Sequence, residues 1–352
     1  MAVVEAFTGR TVIVNGKERL YFSGTSYLGM SKNSRLEALI HAGGKRYGTT
    51  YSSSRGSNLK LAVYDEAESM LASHAGAEGA LTFSSGYLAG QALIRTLDTG
   101  QSFIYAPDAH PAVWRTAADA NHTDYTSWVE ALPSAIAACS GDVVLVMNSV
   151  DPLYARKYAF NWITDLPEDK QITLIVDDSH GFGLLGEKGA GVYPELRKLL
   201  KLNVELVVVA SMGKALGIAG GVVLGSTGLI GSLKKSPYFM GGSPAPPAYL
   251  YAYLHAQKVY EQARQQLTRN VLHFQQMISD TGLFNFFDTY PVFYTKHHGL
   301  TSALEDDIII SCFPYPDPDS EPITRVVINS LHTFDDIEFL AGKIEQYRVG
   351  VK

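Results

Sequence analysis

The spacing of hydrophobic positions changes near residue 34 of the chain. Before it, apolar residues flank the turn pair Asn15-Gly16, which predicts a short hairpin over residues 11–23. After it, helix-length segments alternate with short apolar runs, and one amphipathic helix is predicted over residues 59–76. This alternation indicates the α/β class.

The short apolar runs are the candidate strands. They cover residues 80–83, 103–106, 143–147, 172–176 and 206–210. Several are rich in Val and Ile without strict alternation, which is typical of strands that are covered on both faces. We therefore predict a mainly parallel sheet flanked by helices.

The pattern changes again after about residue 240. A Gly-Gly-Ser-Pro-Ala-Pro-Pro segment interrupts the chain, and a long helical stretch over residues 248–282 follows it. Shorter strand-like runs and a final amphipathic helix complete the sequence. We predict an N-terminal segment with the hairpin (1–35), a large cofactor-binding domain (36–240) and a smaller α+β domain (241–352).

Composition narrows the class of protein further. The 352 residues are 46% hydrophobic and 18% charged with a net charge of −6, so no general attraction to nucleic acid or to anionic membranes is expected. No apolar run approaches the ~18 residues that a membrane span needs. The two cysteines, Cys139 and Cys312, have no metal or redox spacing and favour a reducing compartment. We expect a cytoplasmic protein without a metal site. Because the net charge is negative, any anionic ligand must be bound by a local site.

Lys214 lies in a Ser-Met-Gly-Lys turn directly after the apolar run 206–210. Ligands of open parallel sheets gather at the carboxyl ends of the strands. A partly buried amine at such a position has a lowered pKa and can attack an aldehyde. The alternative is an ordinary loop lysine. The pattern of a nucleotide-binding phosphate loop is absent.

Asp177 directly follows the apolar run 172–176, and His180 comes three residues later. A carboxylate there can keep a ring nitrogen protonated, the interaction that makes pyridoxal phosphate an electron sink. His180 can donate to the phenolic oxygen of such a ring. The alternatives are a turn-forming aspartate and a histidine packed in the core.

The glycines that follow His180 match the dinucleotide-binding pattern, with Gly181, Gly183 and Gly186 in the required positions. That pattern should open a helix directly from a strand. Here four residues separate the run 172–176 from the first glycine, and no helical pattern follows. The segment therefore does not favour a nicotinamide cofactor.

Two further strand ends carry candidate side chains. The Ser84-Ser85-Gly86-Tyr87 turn opens a helix after the run 80–83, which makes it a phosphate site or an ordinary serine cap. His110 follows the run 103–106 and can stack on a flat ring. Its alternative is packing at the start of a helix.

Together these motifs resemble the α-oxoamine synthases, pyridoxal-phosphate enzymes of fold type I that include the 8-amino-7-oxononanoate synthases. Residues 176–191 look like the family motif VDD(A/S)HGxGxxGxxGxG, and residues 211–214 look like its (T/S)xxK lysine motif. The resemblance covers about residues 18–345. It implies a mainly parallel, seven-stranded type of sheet and a pyridoxal 5′-phosphate cofactor.

The resemblance also implies roles for the catalytic residues. Lys214 would form the Schiff base and move the α-proton of the substrate. Asp177 would hold the pyridinium, His180 would contact the phenolic oxygen, and His110 would stack on the ring.

A second group of residues is implied to bind the phosphate. These residues are Ser85, Gly86, Tyr87 and Ser211. Ser243 matches a residue that reaches the phosphate of the neighbouring subunit, so the resemblance implies a homodimer with its active site at the subunit interface.

The substrate side matches the family less well. Arg325 corresponds to the arginine that grips the amino acid carboxylate, and a structural strand arginine is the alternative. Thr25 replaces an asparagine that faces the substrate, and Tyr64 replaces a histidine. Asn148 and Pro152 replace a glutamate and a serine.

The resemblance implies condensation of an amino acid with an acyl-CoA thioester, with decarboxylation, to give an amino ketone. Two alternatives stay open because of the altered substrate side. The first is an aminotransferase or another amino-acid enzyme on the same scaffold. The second is a catalytically silent relative with a binding or regulatory role.

Overall fold

The computed structural model describes residues 3–315 and 317–350. The strands are β1 (Val4–Phe7), β2 (Thr11–Val14), β3 (Lys17–Phe22), β4 (Gly79–Phe83), β5 (Ser102–Tyr105), β6 (Val143–Asn148), β7 (Val150–Asp151), β8 (Arg156–Lys157), β9 (Ile172–Asp177), β10 (Val204–Ser211), β11 (Gly221–Gly225), β12 (Val292–Thr295), β13 (Ile308–Pro314) and β14 (Pro322–Val327). The helices are α1 (Ser34–Tyr47), α2 (Ala62–Ala75), α3 (Gly86–Leu97), α4 (Tyr125–Ala138), α5 (Tyr193–Arg197), α6 (Thr227–Lys234), α7 (Pro237–Gly241), α8 (Pro247–His255), α9 (Gln257–Ile278), α10 (Leu300–Leu304) and α11 (Phe334–Gly350).

The larger sheet has the strand order β4-β11-β10-β9-β6-β5. Strands β5, β6, β9 and β10 are parallel, and β11 is antiparallel to both of its neighbours. The α/β class and the mainly parallel sheet are confirmed. The described residues give this sheet six strands, not seven, because the polar segment 115–124 beside β5 has no apolar run and forms a 3-10 turn (Ala117–Asp119) within loops.

Both faces of this sheet are buried. Along β9, Leu174 and Val176 pack into one hydrophobic cluster, whereas Ile175 packs into another on the opposite face. In β10, Leu206 and Val207 divide between the same two clusters. This explains why these strands appear in the sequence as continuous apolar runs.

The second sheet has the order β1-β2-β3-β13-β14-β12, so the N-terminal strands join the C-terminal ones. The predicted hairpin is confirmed, and its turn residues Asn15 and Gly16 both have positive φ angles, 53° and 69°. The proposed domain boundaries at residues 36 and 241 stay a prediction.

The helical stretch predicted over residues 248–282 consists of two consecutive helices, α8 and α9. Ala256 leaves the helical conformation (φ −95°, ψ 9°) and separates α8 from α9. Helix α8 packs on α1 and α2, whereas α9 packs on α11, so the chain must change direction between them. The helix predicted over 59–76 is confirmed as α2, which ends at Gly76 in the left-handed conformation.

Within the described ranges, no helix is both long and apolar enough to cross a membrane. No group of three or more His, Cys, Asp or Glu side chains there could hold a metal ion.

Candidate active site

A cavity of about 230 Å³ opens where the larger sheet meets β13 and β14. Six of the predicted site residues line it: Thr25, His110, Asp177, His180, Lys214 and Arg325. Asp177 ends β9 and Lys214 follows β10, and the parallel pairing of these strands places their carboxyl ends side by side. Arg325 comes from β14 of the other sheet. Residues from both sheets therefore form a single site.

Lys214 is half-buried in this cavity. Burial lowers the pKa of its amine, Asp177 raises it, and Arg325 lowers it further. A lowered pKa favours the neutral amine, which is the form that attacks a carbonyl group. The expected desolvation of this lysine is thus present in the structure.

Asp177 is buried with one carboxylate oxygen already engaged. Its Oδ1 accepts from the backbone N–H of Ser179 at 2.9 Å. Its Oδ2 lies 3.9 Å from Nδ1 of His110. Burial lowers the pKa of His110, and its Nδ1 accepts the backbone N–H of Ala112 at 3.1 Å, so His110 is neutral and Oδ2 remains available to a ring nitrogen.

His110 and Ser85 both have the structural role that was the alternative interpretation of their motifs, and their ligand roles stay predictions. His110 caps the 3-10 helix Pro111–Val113 and also lines the cavity. Ser85 caps α3 by accepting from the N–H of Leu88 at 3.1 Å. The structural roles do not exclude ligand contacts, because the cap uses only part of each side chain.

The predicted phosphate residues lie beside the cavity and do not line it. Gly86 packs so closely on Ser211 that a Cβ atom would come within 2.7 Å of the Ser211 Cβ. The lack of a side chain lets the first turn of α3 lie directly against the end of β10, and a helix N-terminus there offers backbone N–H groups to an anion. Tyr87 and Ser243 are exposed and stand apart from the cavity wall.

Arg325 is 7% exposed, and it has no carboxylate within ion-pair distance among the described residues. One of its terminal nitrogens donates to the carbonyl of Pro152, whereas its Nε has no partner. A buried cation without a counter-ion is costly. The cavity is therefore suited to a ligand carboxylate.

Asn148 connects two parts of the cavity wall. Its Oδ1 accepts from the N–H of His110 at 3.2 Å, and its Nδ2 donates to the carbonyl of Asp108 at 2.7 Å. An ionised glutamate cannot donate, so the amide suits this loop better than the family residue.

Tyr64 does not face the cavity, in contrast to the expectation that it alters the substrate side. It is fully buried, and its hydroxyl donates to the carbonyl of Ala245 at 2.9 Å. Its ring lies 4.3 Å from the guanidinium of Arg55, which is paired with Glu68. The tyrosine therefore replaces the family histidine within a packed interior.

Several lining residues were not predicted as site residues. They are Asp108, Val150, Asp151, Leu153, Phe313 and Tyr315. Phe313 and Tyr315 approach from β13 and the loop after it, far away in sequence from Lys214. Nothing in their local sequence pattern indicates a site. Tyr27, whose hydroxyl lies 2.8 Å from Nδ1 of His180, carried a signal only through the family motif.

The glycine pattern at Gly181, Gly183 and Gly186 does not form a dinucleotide-binding turn. After β9 the chain forms turns and a short 3-10 helix (Glu187–Gly189) in which Gly183, Gly186, Gly189 and Gly191 have positive φ angles, and no α-helix begins before α5. The dinucleotide-binding arrangement of strand, glycines and helix is absent from this described segment.

The residues present suit pyridoxal phosphate. The N-terminus of α3 at Gly86 can receive a phosphate, Oδ2 of Asp177 can receive a ring nitrogen, and the Arg325 guanidinium, which lines the cavity, can receive a carboxylate. Lys214 supplies the amine that binds the aldehyde. Fold and site together define a pyridoxal-phosphate-dependent enzyme of fold type I.

Comparison with known proteins identifies the family. The family model for aminotransferase class I and II matches residues 20–338, and the chain belongs to this family. A protein of Petrotoga mobilis named 8-amino-7-oxononanoate synthase is 27% identical over 372 residues, which cover 97% of this chain and 92% of the relative. The resemblance to the α-oxoamine synthases is thereby confirmed.

Solved structures agree on the fold. A serine palmitoyltransferase from S. paucimobilis superposes with a TM-score of 0.84 at 19% identity, covering all of this chain and 94% of that one. An 8-amino-7-oxononanoate synthase from Francisella tularensis superposes with a TM-score of 0.73 at 23% identity, covering 94% and 97%.

Proposed function

We propose that the protein condenses a small α-amino acid with an acyl-CoA thioester and releases CoA and CO₂ to give an amino ketone. One observation carries this proposal. A single cavity collects Lys214, Asp177, His180 and His110 beside the unpaired Arg325, in a chain whose relatives are named 8-amino-7-oxononanoate synthase.

Pyridoxal phosphate supplies the electron sink for bond breaking at the α-carbon. Lys214 would hold the cofactor and then accept the α-proton. Asp177 would keep the ring nitrogen protonated, and His180 would donate to the phenolic oxygen. His110 would lie against the ring face. Ser85, Gly86, Tyr87 and Ser211 would hold the phosphate.

The bonds balance with one proton from water, which the departing CoA thiolate takes up. The Cα–H bond of the amino acid breaks, and Lys214 takes the proton. A bond forms between the α-carbon and the thioester carbonyl carbon, and the C–S bond breaks to release CoA. The carboxylate held by Arg325 leaves as CO₂, and Lys214 returns a proton to the α-carbon.

We also propose a cytoplasmic homodimer in which Ser243 reaches the phosphate site of the partner subunit. Ser243 is exposed and lies outside the cavity of its own chain. The large side chains Leu59, Tyr87 and Met240 are exposed as well, at 72%, 58% and 42%. Apolar exposure of this kind marks interaction surfaces. Light scattering should give twice the mass of one chain.

The condensation is tested with purified protein loaded with pyridoxal phosphate. A panel of acyl-CoA thioesters and small amino acids should give CoA, detected by a thiol reagent, together with an amino ketone of the expected mass. Transamination of a 2-oxo acid without any CoA release would favour the aminotransferase. Absence of turnover on every amino acid would favour the silent relative.

Arg325→Lys should raise the KM for the amino acid about 10- to 100-fold with a smaller effect on kcat. Lysine keeps the charge but cannot form the bidentate fork. Steady-state kinetics at saturating acyl donor measure this change. Arg197→Lys is the matched control, because Arg197 is exposed and donates only to the Gly76 carbonyl. An unchanged KM for Arg325→Lys would remove the carboxylate role.

A further inference from the structure

The hydroxyl of Tyr27 contacts His180 behind the cavity. Tyr27 lies in the loop after β3 and is 1% exposed. Its hydroxyl oxygen is 2.8 Å from Nδ1 of His180. Because Nδ1 is occupied by this contact, Nε2 is the ring nitrogen that His180 can present to the cavity that it lines.

Both groups are neutral, so the direction of their hydrogen bond depends on which ring nitrogen of His180 carries the proton. Burial lowers the pKa of His180 well below its usual value, and Lys214 and Arg325 lower it further, so the ring is neutral and carries one proton. Burial raises the pKa of Tyr27, which therefore keeps its own proton. A phenol that donates to Nδ1 requires the ring proton to be on Nε2.

The neighbouring Tyr290 does not compete for the proton of Tyr27. It is fully buried, and its ring centroid lies 6.2 Å from that of Tyr27. Among the described residues the Tyr290 hydroxyl has no hydrogen-bond partner, and Nδ1 of His180 is the one partner found for the Tyr27 hydroxyl, so donation to Nδ1 is the arrangement that satisfies the buried phenol proton.

We infer that Tyr27 is a positioning residue that holds the His180 proton on Nε2, so that His180 donates to the phenolic oxygen of the cofactor. This inference rests on the cofactor role proposed for His180. Tyr27 itself does not line the cavity and acts only through the histidine.

The tautomer can be measured without the cofactor. In ¹⁵N-histidine-labelled protein, with the His180 signals assigned by their loss in His180→Asn, we expect a protonated Nε2 and an unprotonated Nδ1. Tyr27→Phe should give a mixture of the two tautomers. A protonated Nδ1 in the unchanged protein would overturn the inference, and this result needs no variant that might misfold. It is also independent of the condensation assay.

A second measurement uses the visible absorbance of the protein loaded with pyridoxal phosphate, titrated against pH. Donation from His180 stabilises the anionic phenolic oxygen, so its loss in Tyr27→Phe should raise the midpoint by about one pH unit. In a His180→Asn background, Tyr27→Phe should add no further shift. Tyr260→Phe is the matched control, since it removes another buried hydroxyl, which donates to the Leu216 carbonyl at 3.1 Å.

The pattern of shifts decides between positioning and a general structural role. A shift that persists in the His180→Asn background would show that Tyr27 acts directly on the cofactor and would overturn the inference. An equal shift in Tyr260→Phe would assign the effect to loosened packing, with the same consequence.

Discussion

Replacement of Lys214 by alanine is expected to lower turnover by about 10⁴-fold or more, because one side chain supplies both the covalent attachment and the proton transfer. The expectation follows from the position of the amine after β10, where burial lowers its pKa beside Asp177. Turnover is measured as CoA release, and the attachment is measured by mass spectrometry after borohydride reduction.

The reduced cofactor should map to Lys214 in the unchanged protein and to no residue in Lys214→Ala. Lys234→Ala is a suitable control, because Lys234 is exposed near the end of α6. A borohydride-stable label that remains in Lys214→Ala would place the attachment elsewhere and would remove the central assignment.

Hydrophobic periodicity predicted five of the six strands of the larger sheet, because strands that are buried on both faces appear as continuous apolar runs. The sixth, β11, is equally buried but was not predicted, because it begins and ends in glycine and has only three apolar residues between them. Every apolar run from 80–83 to 206–210 corresponds to a strand within two residues. No sequence pattern indicated the break between α8 and α9 at Ala256. It depends on which partner each half of the helical stretch packs against, and no glycine or proline at that position marks it.

The site residues also include some that the sequence could predict and some that it could not. Lys214, Asp177 and His110 could be predicted because strand ends place polar groups at known positions in a parallel sheet. Phe313 and Tyr315 could not, since they enter the cavity through the pairing of β13 with β14. Tyr64 was expected on the substrate side but is buried in the core. A departure from a family motif does not reveal whether the side chain faces a ligand or the core.

Asp177→Asn should lower turnover by about 10³-fold while the borohydride label stays on Lys214. The amide can still accept the N–H of Ser179, so the local turn is retained. It carries no charge, so it cannot keep the cofactor ring nitrogen protonated, and the electron sink weakens. The two measurements separate binding from chemistry, since the attachment persists while the rate falls.

Asp178→Asn is the sharpest control, because Asp178 is the adjacent buried carboxyl but lines a different cavity. Burial raises the pKa of Asp178 to about 7, so the neutral acid is accessible near neutral pH and the amide resembles that form. We therefore expect Asp178→Asn to keep turnover within a few-fold of the unchanged protein. Equal losses in both variants would mean that burial of this acidic pair, not the charge at Asp177, supports catalysis. A loss confined to Asp177→Asn assigns the effect to the one carboxylate oxygen that faces the cofactor site.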